Sequence, residues 1–195
     1  MSPDFPTGPR GKPVTRRTVL SRRDALTPEE RAAATLRIAE EVEALLRTLP
    51  AGAVVGLYAG KGSELATDEI DRRARALGLR VAYPRVVDNA KRLVFAEATI
   101  GELVAGRFGL REPAASAREV ELTEVAAFVV PGIAFDRSGG RIGWGHGHYD
   151  ATLTAAPVAV RIGVAFECQV LDHVPRDPHD ALLHHVVTEV ATYRR

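Results

Sequence analysis

The sequence has little cysteine and no long hydrophobic run, and both features limit what the protein can be. Its 195 residues contain one cysteine, Cys168, which excludes an internal disulfide and a metal site built from paired cysteines. No apolar run approaches the roughly 18 residues of a membrane-spanning helix. The N-terminus also lacks the apolar core of a secretory signal. We therefore expect a soluble, cytoplasmic protein without a membrane partner.

The charge is balanced overall but uneven along the chain. The net charge of +1 excludes a strong general attraction to nucleic acid or membranes. One acid, Asp4, stands in the segment from Met1 to Arg23, whose basic residues are Arg10, Lys12, Arg16, Arg17, Arg22 and Arg23. This basic arm needs a functional explanation. A hydrophobic fraction of 46% and a charged fraction of 26% are those of an ordinary globular domain.

Helical and apolar segments alternate along the chain. We expect a disordered, Pro/Gly-rich tail over residues 1–11 and a single domain over residues 12–195. Thr27, Pro28 and Glu30 form a capping-box sequence that predicts a helix start. The predicted helices cover about 13–25, 28–49, 67–78 and 148–154, and the predicted strands cover 53–58, 80–83, 93–96, 126–130, 158–166 and 186–188.

This alternation predicts an α/β fold. We expect a three-layer Rossmann-like sandwich, with a mostly parallel central sheet and helices on both faces. Ligands of such sheets bind at the carboxyl ends of the strands. The loops that follow Tyr58 and Val130 should therefore lie on the same rim.

A glycine-rich segment reads GGRIGWGHGHYD over residues 139–150. Glycine permits positive φ and close approach of the backbone to a ligand. Successive N–H groups before a helix N-terminus form an anion site. The segment has no Gly-Lys-Ser/Thr of a P-loop, and Asp150 replaces the last glycine of a dinucleotide fingerprint. It predicts a phosphate-binding loop of another type, rather than a simple turn.

Asp150 lies in the first turn of the helix predicted after this loop. An acid there stabilises the helix dipole. Next to phosphates it is also a suitable ligand for Mg²⁺, which takes one or two carboxylates together with phosphate oxygens. Tyr149 and Trp144 offer flat faces to a heterocycle, although ordinary partial burial is the simpler interpretation for Trp144.

Several motifs, in one order, resemble those of the 5-formyltetrahydrofolate cyclo-ligase, or methenyltetrahydrofolate synthetase, family. They are Lys12-x-x-x-Arg16, Glu64-x-x-Thr67, Gly109-Leu110-Arg111-Glu112-Pro113, the run from Val129 to Asp136, Gly140-Arg141-Ile142-Gly143, Gly145-x-Gly147-x-Tyr149-Asp150, Gly163-x-Ala165-Phe166-x-x-x-Gln169, Pro175, His179-Asp180 and Thr188-Glu189. The shared order makes the resemblance specific.

The resemblance implies an ATP-dependent ligase of folate and one-carbon metabolism, with ATP and Mg²⁺ as cofactors. In the implied reaction, ATP phosphorylates the formyl oxygen of 5-formyltetrahydrofolate, N10 attacks the activated carbon, and phosphate leaves. The products are 5,10-methenyltetrahydrofolate, ADP and phosphate. Phosphoryl transfer needs mainly positioning and charge neutralisation, which agrees with the lack of an obvious nucleophile triad.

The resemblance also implies a role for each matching residue. The catalytic residues are Arg141, Tyr149 and Asp150, and the magnesium ligands are Asp150 and Asp180. The substrate-binding residues are Glu64, Trp144, Gly147, His148 and Tyr149. The ATP-binding residues are Lys12, Arg16, Gly140, Arg141, Ile142, Gly143, Trp144, Gly145, His146, Gly147, His148 and Tyr149.

The chain departs from the usual family pattern at three positions. His146 stands where glycine or lysine is common, His148 where tyrosine is common, and Ala66 where an acid or amide is usual. These changes bear on affinity and pH dependence more than on the reaction itself.

Three other functions agree with parts of the sequence. His146-x-His148 and the remaining histidines suggest a zinc site, but their spacing fits no familiar ligand set. The basic arm suggests a non-catalytic folate-, nucleotide- or RNA-binding protein, against which the net charge argues. A sugar-phosphate isomerase would use the glycine loop without ATP. We expect a small-molecule substrate, no nucleic-acid partner and a monomer.

Overall fold

The computed structural model of the protein describes residues 11–195. Its helices are α1 (Lys12–Asp24), α2 (Pro28–Leu46), α3 (Asp68–Ala76) and α4 (His148–Ala155). Its strands are β1 (Val54–Gly56), β2 (Arg80–Arg85), β3 (Val94–Glu97), β4 (Val104–Ala105), β5 (Arg111–Glu112), β6 (Glu119–Val120), β7 (Val125–Val130), β8 (Ala134–Asp136), β9 (Arg141–Ile142), β10 (Val160–Val164), β11 (Val170–Leu171), β12 (His185–Val187) and β13 (Thr192–Arg194).

Eight strands form the central sheet, in the order β13-β12-β10-β7-β1-β2-β3-β6. The five inner strands from β12 to β2 are parallel, and the outer strands pair antiparallel. β1 and β7 are direct parallel neighbours, so the loops after them leave the same edge of the sheet. The predicted α/β sandwich and its common rim are confirmed.

Helices cover both faces of this sheet. Along β7, Ala127 and Val129 belong to the core under α2 and α3, whereas Phe128 and Val130 pack with Leu153 of α4. This alternation is typical of a strand buried on both faces.

The boundaries of the helices follow local sequence signals. The Thr27 hydroxyl accepts from the Glu30 N–H and the Glu30 carboxylate accepts from the Thr27 N–H, which confirms the capping box. α2 ends at Leu46, earlier than predicted, and a short turn carries the chain on to Leu49.

The start of the domain differs from the prediction by one residue. Gly11, which we assigned to the tail, is buried directly before α1, and its carbonyl accepts from the Thr15 hydroxyl at 2.9 Å. The disorder predicted for the rest of the tail concerns residues 1–10, which lie outside the described residues. No helix within residues 11–195 is long and apolar enough to cross a membrane.

A small second sheet interrupts the segment that we predicted to be one continuous loop after β7. It has the order β11-β8-β9, and β8 and β9 form an antiparallel hairpin. Helix α1 packs on this sheet through Val19, which shares a buried cluster with Ile133 and Ile142. Arg141 and Ile142 are therefore strand residues, and the loop that leads to α4 is shorter than the sequence suggested.

Candidate active site

A cavity of about 970 Å³ lies at the carboxyl ends of β1 and β7. Helix α1, the loop after β1 and the segment from β9 to α4 surround it. All the residues to which the sequence assigns a site role line this cavity except Gly140. Ligand binding at this edge is expected for a parallel α/β sheet.

The glycine loop, residues 143–147, connects β9 to α4. Gly145 and Gly147 have φ of +101° and +72°, values that favour glycine. A Cβ at Gly145 would also lie 3.1 Å from a terminal nitrogen of Arg16. The sequence therefore folds here into a loop that a basic side chain can approach closely.

Helix α1 carries the two basic residues predicted to bind ATP. Lys12 Nζ donates to Asp177 Oδ2 at 2.7 Å and to Asp180 Oδ2 at 2.8 Å. Burial by itself lowers the pKa of Lys12, but the two carboxylates raise it above its ordinary value. Arg16 Nε donates to the Gly143 carbonyl at 2.8 Å. The spacing of four residues thus puts both cations on the cavity side of the helix.

Arg141 and Asp150 are paired inside the cavity. Arg141, with 6% of its side chain exposed, donates to Asp150 Oδ1 at 2.8 Å. Asp150 Oδ1 also accepts from the Ala181 N–H at 3.3 Å, which brings it next to the loop of Asp180. Two carboxylates facing one cavity fit the ligand preference of Mg²⁺ when phosphate oxygens complete its shell.

Tyr149 lies beneath the Arg141 guanidinium, whose carbon is 5.7 Å from the ring centroid. Its hydroxyl oxygen is buried and has no hydrogen-bond partner among residues 11–195. Burial raises the pKa of Tyr149 above its ordinary value. The phenol therefore stays protonated at neutral pH and can serve a ligand as a hydrogen-bond donor.

Glu64 and Trp144 meet across the mouth of the cavity. Trp144 Nε1 donates to Glu64 Oε1 at 3.0 Å, and the Lys61 N–H donates to Glu64 Oε2 at 3.0 Å. Trp144 is 56% exposed, so its indole ring is not a core residue. The contact joins the glycine loop to the loop after β1.

The two histidines of the loop lie side by side. The rings of His146 and His148 are stacked with centroids 5.8 Å apart, and His148 Nδ1 lies 3.0 Å from the Lys91 carbonyl oxygen. Residues 11–195 contain no group of three or more His, Cys, Asp or Glu able to hold a metal ion. The His184 Nδ1 atom accepts from the Arg161 N–H at 3.0 Å, so this nitrogen is already hydrogen-bonded within the protein.

Gly140 does not line the cavity, and the ATP-binding role assigned to it stays a prediction. Its N–H donates to Asp136 Oδ1 at 2.9 Å inside the β8–β9 hairpin. A Cβ at this position would lie 2.5 Å from Asp136 Oδ2 and from Arg176 Nε. The packing of the hairpin therefore requires glycine at this position.

Sequence reasoning assigned no site role to two residues that shape the site, Asp136 and Asp177. Asp136 is fully buried and accepts from Arg176 at 2.7 Å, from Gly140 and from the Val174 N–H, so it ties the hairpin to the segment before Asp180. Asp177 was missed although it precedes the recognised His179-Asp180 pair, because an Asp-Pro step is also an ordinary turn signal.

Comparison with known proteins connects these features to one family. The sequence model of the 5-formyltetrahydrofolate cyclo-ligase family matches residues 9–189. The 5-formyltetrahydrofolate cyclo-ligase of Mycolicibacterium smegmatis is 38% identical over 143 residues, which cover 70% of this chain and 74% of that protein. The Escherichia coli K12 enzyme of the same name is 30% identical over 182 residues, with 87% and 96% coverage. The NMR structure of Aquifex aeolicus 5,10-methenyltetrahydrofolate synthetase is 30% identical, has a TM-score of 0.76, and matches 94% of this chain and 92% of that one.

Proposed function

The chain belongs to the 5-formyltetrahydrofolate cyclo-ligase family, and we propose that it cyclises 5-formyltetrahydrofolate to 5,10-methenyltetrahydrofolate at the expense of ATP. ADP and phosphate are the other products. The observation that carries the proposal is the convergence of Lys12, Arg16, Arg141 and Asp150 with the glycine loop on a single cavity.

One end of the cavity suits a triphosphate. Lys12, Arg16 and Arg141 are three cations there, and Gly145 and Gly147 give the loop its backbone shape. Fixed positive charge and backbone N–H groups stabilise a transferring phosphoryl group without rearrangement during the reaction. We propose that these residues hold ATP.

Asp150 and Asp180 would hold a magnesium ion at the same end. When bound, the ion neutralises charge on the phosphate oxygens. In the ligand-free protein Arg141 pairs with Asp150 and Lys12 pairs with Asp180. Each carboxylate is thus already matched with a cation that the phosphates would attract.

The other end of the cavity, around Glu64, suits the folate, and Tyr149 lies between the two ends because its ring is next to Arg141. Glu64 supplies acceptor oxygens for N–H groups of the pterin, and the buried Tyr149 hydroxyl supplies an unused donor. Leu93 and Val86 add apolar wall. We propose that the two ends together place the formyl oxygen next to the terminal phosphate of the nucleotide.

The reaction then needs little covalent chemistry from the protein. ATP supplies the phosphoryl group that turns the formyl oxygen into a leaving group. The N10 lone pair attacks the formyl carbon, N10 loses its proton, and the carbon–oxygen bond breaks to release phosphate. Arg141, buried beside Asp150, is placed to stabilise negative charge as that bond breaks.

A spectroscopic assay tests the proposal. Purified protein is mixed with 5-formyltetrahydrofolate, Mg²⁺ and ATP, and the near-ultraviolet band of the methenyl product is followed. We expect the band to grow only when ATP is present. A band that grows equally without ATP contradicts the proposal. No band, when both ligands are shown to bind, also contradicts it and would favour the non-catalytic binding alternative.

The monomeric state and the cytoplasmic location of the protein remain predictions.

A further inference from the structure

Arg23 is a buried cation without a counter-ion. The residue is 3% exposed, yet no carboxylate of residues 11–195 lies within 4 Å of its guanidinium nitrogens. Its side chain makes one hydrogen bond with the described residues, from Nε to the Ser63 hydroxyl at 3.0 Å. The Ser63 hydroxyl in turn donates to Asp24, so the Asp24 carboxylate is linked to Arg23 only through a neutral hydroxyl group.

This arrangement differs from that of other arginines in the chain. Removing a charged group from water costs several kcal/mol unless it is paired and fully hydrogen-bonded. Other arginines have partners for their terminal nitrogens: Arg176 pairs with Asp136 and Arg73 with Glu43. Arg161 has no carboxylate partner, but it donates to the carbonyl oxygens of Leu182 and Leu153. The two terminal nitrogens of Arg23 have no such partner, and the residue lines the cavity of the active site.

The position of Arg23 selects the folate end of that cavity. Arg23 follows Arg16 by two helical turns, or about 10 Å along the helix axis. Arg16 contacts the glycine loop through Gly143, whereas Arg23 contacts Ser63, the residue before Glu64. Arg23 is therefore separated from the proposed phosphate site and adjacent to the proposed pterin acceptor.

We propose that Arg23 binds an oxygen of the folate substrate and contributes to specificity. Arg23 is a positively charged donor, whereas Glu64 is a negatively charged acceptor. The acceptor is either the 4-oxo group of the pterin or a carboxylate of the glutamate; both present an oxygen that carries negative or partial negative charge. Glu64 would then accept hydrogen bonds from N–H groups of the substrate, and Arg23 would donate hydrogen bonds to one of its oxygens. This inference rests on the proposed function, which makes the folate the occupant of this end.

Equilibrium binding by calorimetry, without turnover, tests the inference. Arg23→Gln removes the charge but keeps an amide near Ser63. We expect its Kd for 5-formyltetrahydrofolate to rise roughly 10- to 100-fold, as for the loss of a charged hydrogen bond, while its Kd for Mg²⁺-ATP stays that of the wild type. The folate Kd of Arg23→Lys should lie between those of the wild type and Arg23→Gln, because lysine keeps the charge and loses the planar guanidinium group.

Arg17→Gln is the matched control, because Arg17 is an exposed arginine of the same helix that does not line the cavity. It should bind both ligands as the wild type does. An unchanged folate Kd in Arg23→Gln overturns the inference. If that variant fails to bind Mg²⁺-ATP and is therefore misfolded, Arg23→Lys replaces it: a raised folate Kd supports the inference and an unchanged one overturns it.

The amide of 5-formyltetrahydropteroate, which lacks the glutamate, separates the two acceptors. A Kd ratio between variant and wild type that persists with this compound identifies the pterin oxygen, and a ratio that disappears identifies the glutamate carboxylate. Wild-type protein that binds folate but does not turn it over refutes the proposed function and leaves the test of Arg23 intact. Wild-type protein that binds no folate overturns both.

Discussion

Lys12 Nζ lies 2.8 Å from Asp180 Oδ2, so a cation proposed for the ATP phosphates is paired with a carboxylate proposed for magnesium. Asp177, 2.7 Å from the same ammonium group, is its second partner. The arriving phosphates and metal ion carry opposite charges and can take over both members of the pair. Lys12 would then remain attached to the loop through Asp177, which keeps the start of α1 over the site.

Lys12→Ala should raise the KM for ATP, roughly tenfold for the loss of one charged hydrogen bond. The KM for 5-formyltetrahydrofolate should change much less, because Lys12 lies at the other end of the cavity. Steady-state kinetics with each substrate varied separately measure both constants, and Arg17→Ala serves as a control for loss of charge on α1. An increase confined to the folate KM would show that Lys12 has been assigned to the wrong ligand.

Asp150→Ala should remove most of kcat, by on the order of 10²-fold or more, because it removes a proposed metal ligand and leaves Arg141 without its partner. The measurement is the initial rate at saturating ATP over a range of Mg²⁺ concentrations. Asp150→Asn, which keeps a hydrogen-bond acceptor for Arg141 but no negative charge, separates the loss of this hydrogen bond from the loss of the carboxylate. A wild-type rate for Asp150→Ala at saturating Mg²⁺ would refute the metal assignment.

Glu64→Ala should raise the KM for 5-formyltetrahydrofolate and leave the KM for ATP near that of the wild type. The same substitution frees Trp144 Nε1, which now donates to Glu64 at 3.0 Å. Because Trp144 is the sole tryptophan of the chain, its fluorescence should shift when folate binds the wild type, and the shift should be lost in Glu64→Ala. Glu29→Ala, at an exposed acid outside the cavity, is expected to behave as wild type. A folate-induced shift of equal size in Glu64→Ala would show that the two residues do not share the substrate site.

Arg176→Gln should destabilise the protein in a pH-dependent manner. Burial by itself raises the pKa of Asp136, but hydrogen bonds from Arg176, Gly140, Ser138 and Val174 outweigh it and hold that pKa below its ordinary value. A carboxyl group of this kind adds stability above its unfolded pKa and loses it as the pH falls through the folded pKa.

We therefore expect Arg176→Gln to lower the free energy of unfolding by roughly 2 kcal/mol at pH 7. The difference from wild type should shrink as the pH falls below about 4, the ordinary pKa of aspartate. Urea unfolding at several pH values measures it. A difference that is the same at pH 7 and at pH 3 would show that the stabilisation does not depend on the charge of Asp136.

Local patterns were sufficient to predict some of the structure. The capping box of Thr27, the start of α4 at His148 and the common rim of β1 and β7 each depend on a few neighbouring residues or on a general rule of parallel sheets. The order of the motifs that resemble the cyclo-ligase family also identified residues that line one cavity; their individual roles stay predictions.

Other features depend on tertiary contacts that leave little trace in the sequence. The β8–β9 hairpin consists of strands of three and two residues, too short to show a period, and is stabilised by Asp136. Arg23 could not be distinguished from Arg17 by sequence, because the docking of α1 on β8 decides which arginine faces the cavity. Sequence also could not distinguish Gly140 from the other glycines of the segment, because its contact with Asp136 is a tertiary one.

The most direct test of the central claim is the fate of the formyl oxygen. 5-Formyltetrahydrofolate labelled with ¹⁸O in the formyl group is converted with unlabelled ATP and Mg²⁺, and the released phosphate is analysed by mass spectrometry. Our account predicts one labelled oxygen in each phosphate and one ADP for each methenyl product, because the formyl oxygen leaves as part of the phosphate. Unlabelled phosphate together with labelled water would contradict activation of the formyl oxygen by phosphorylation.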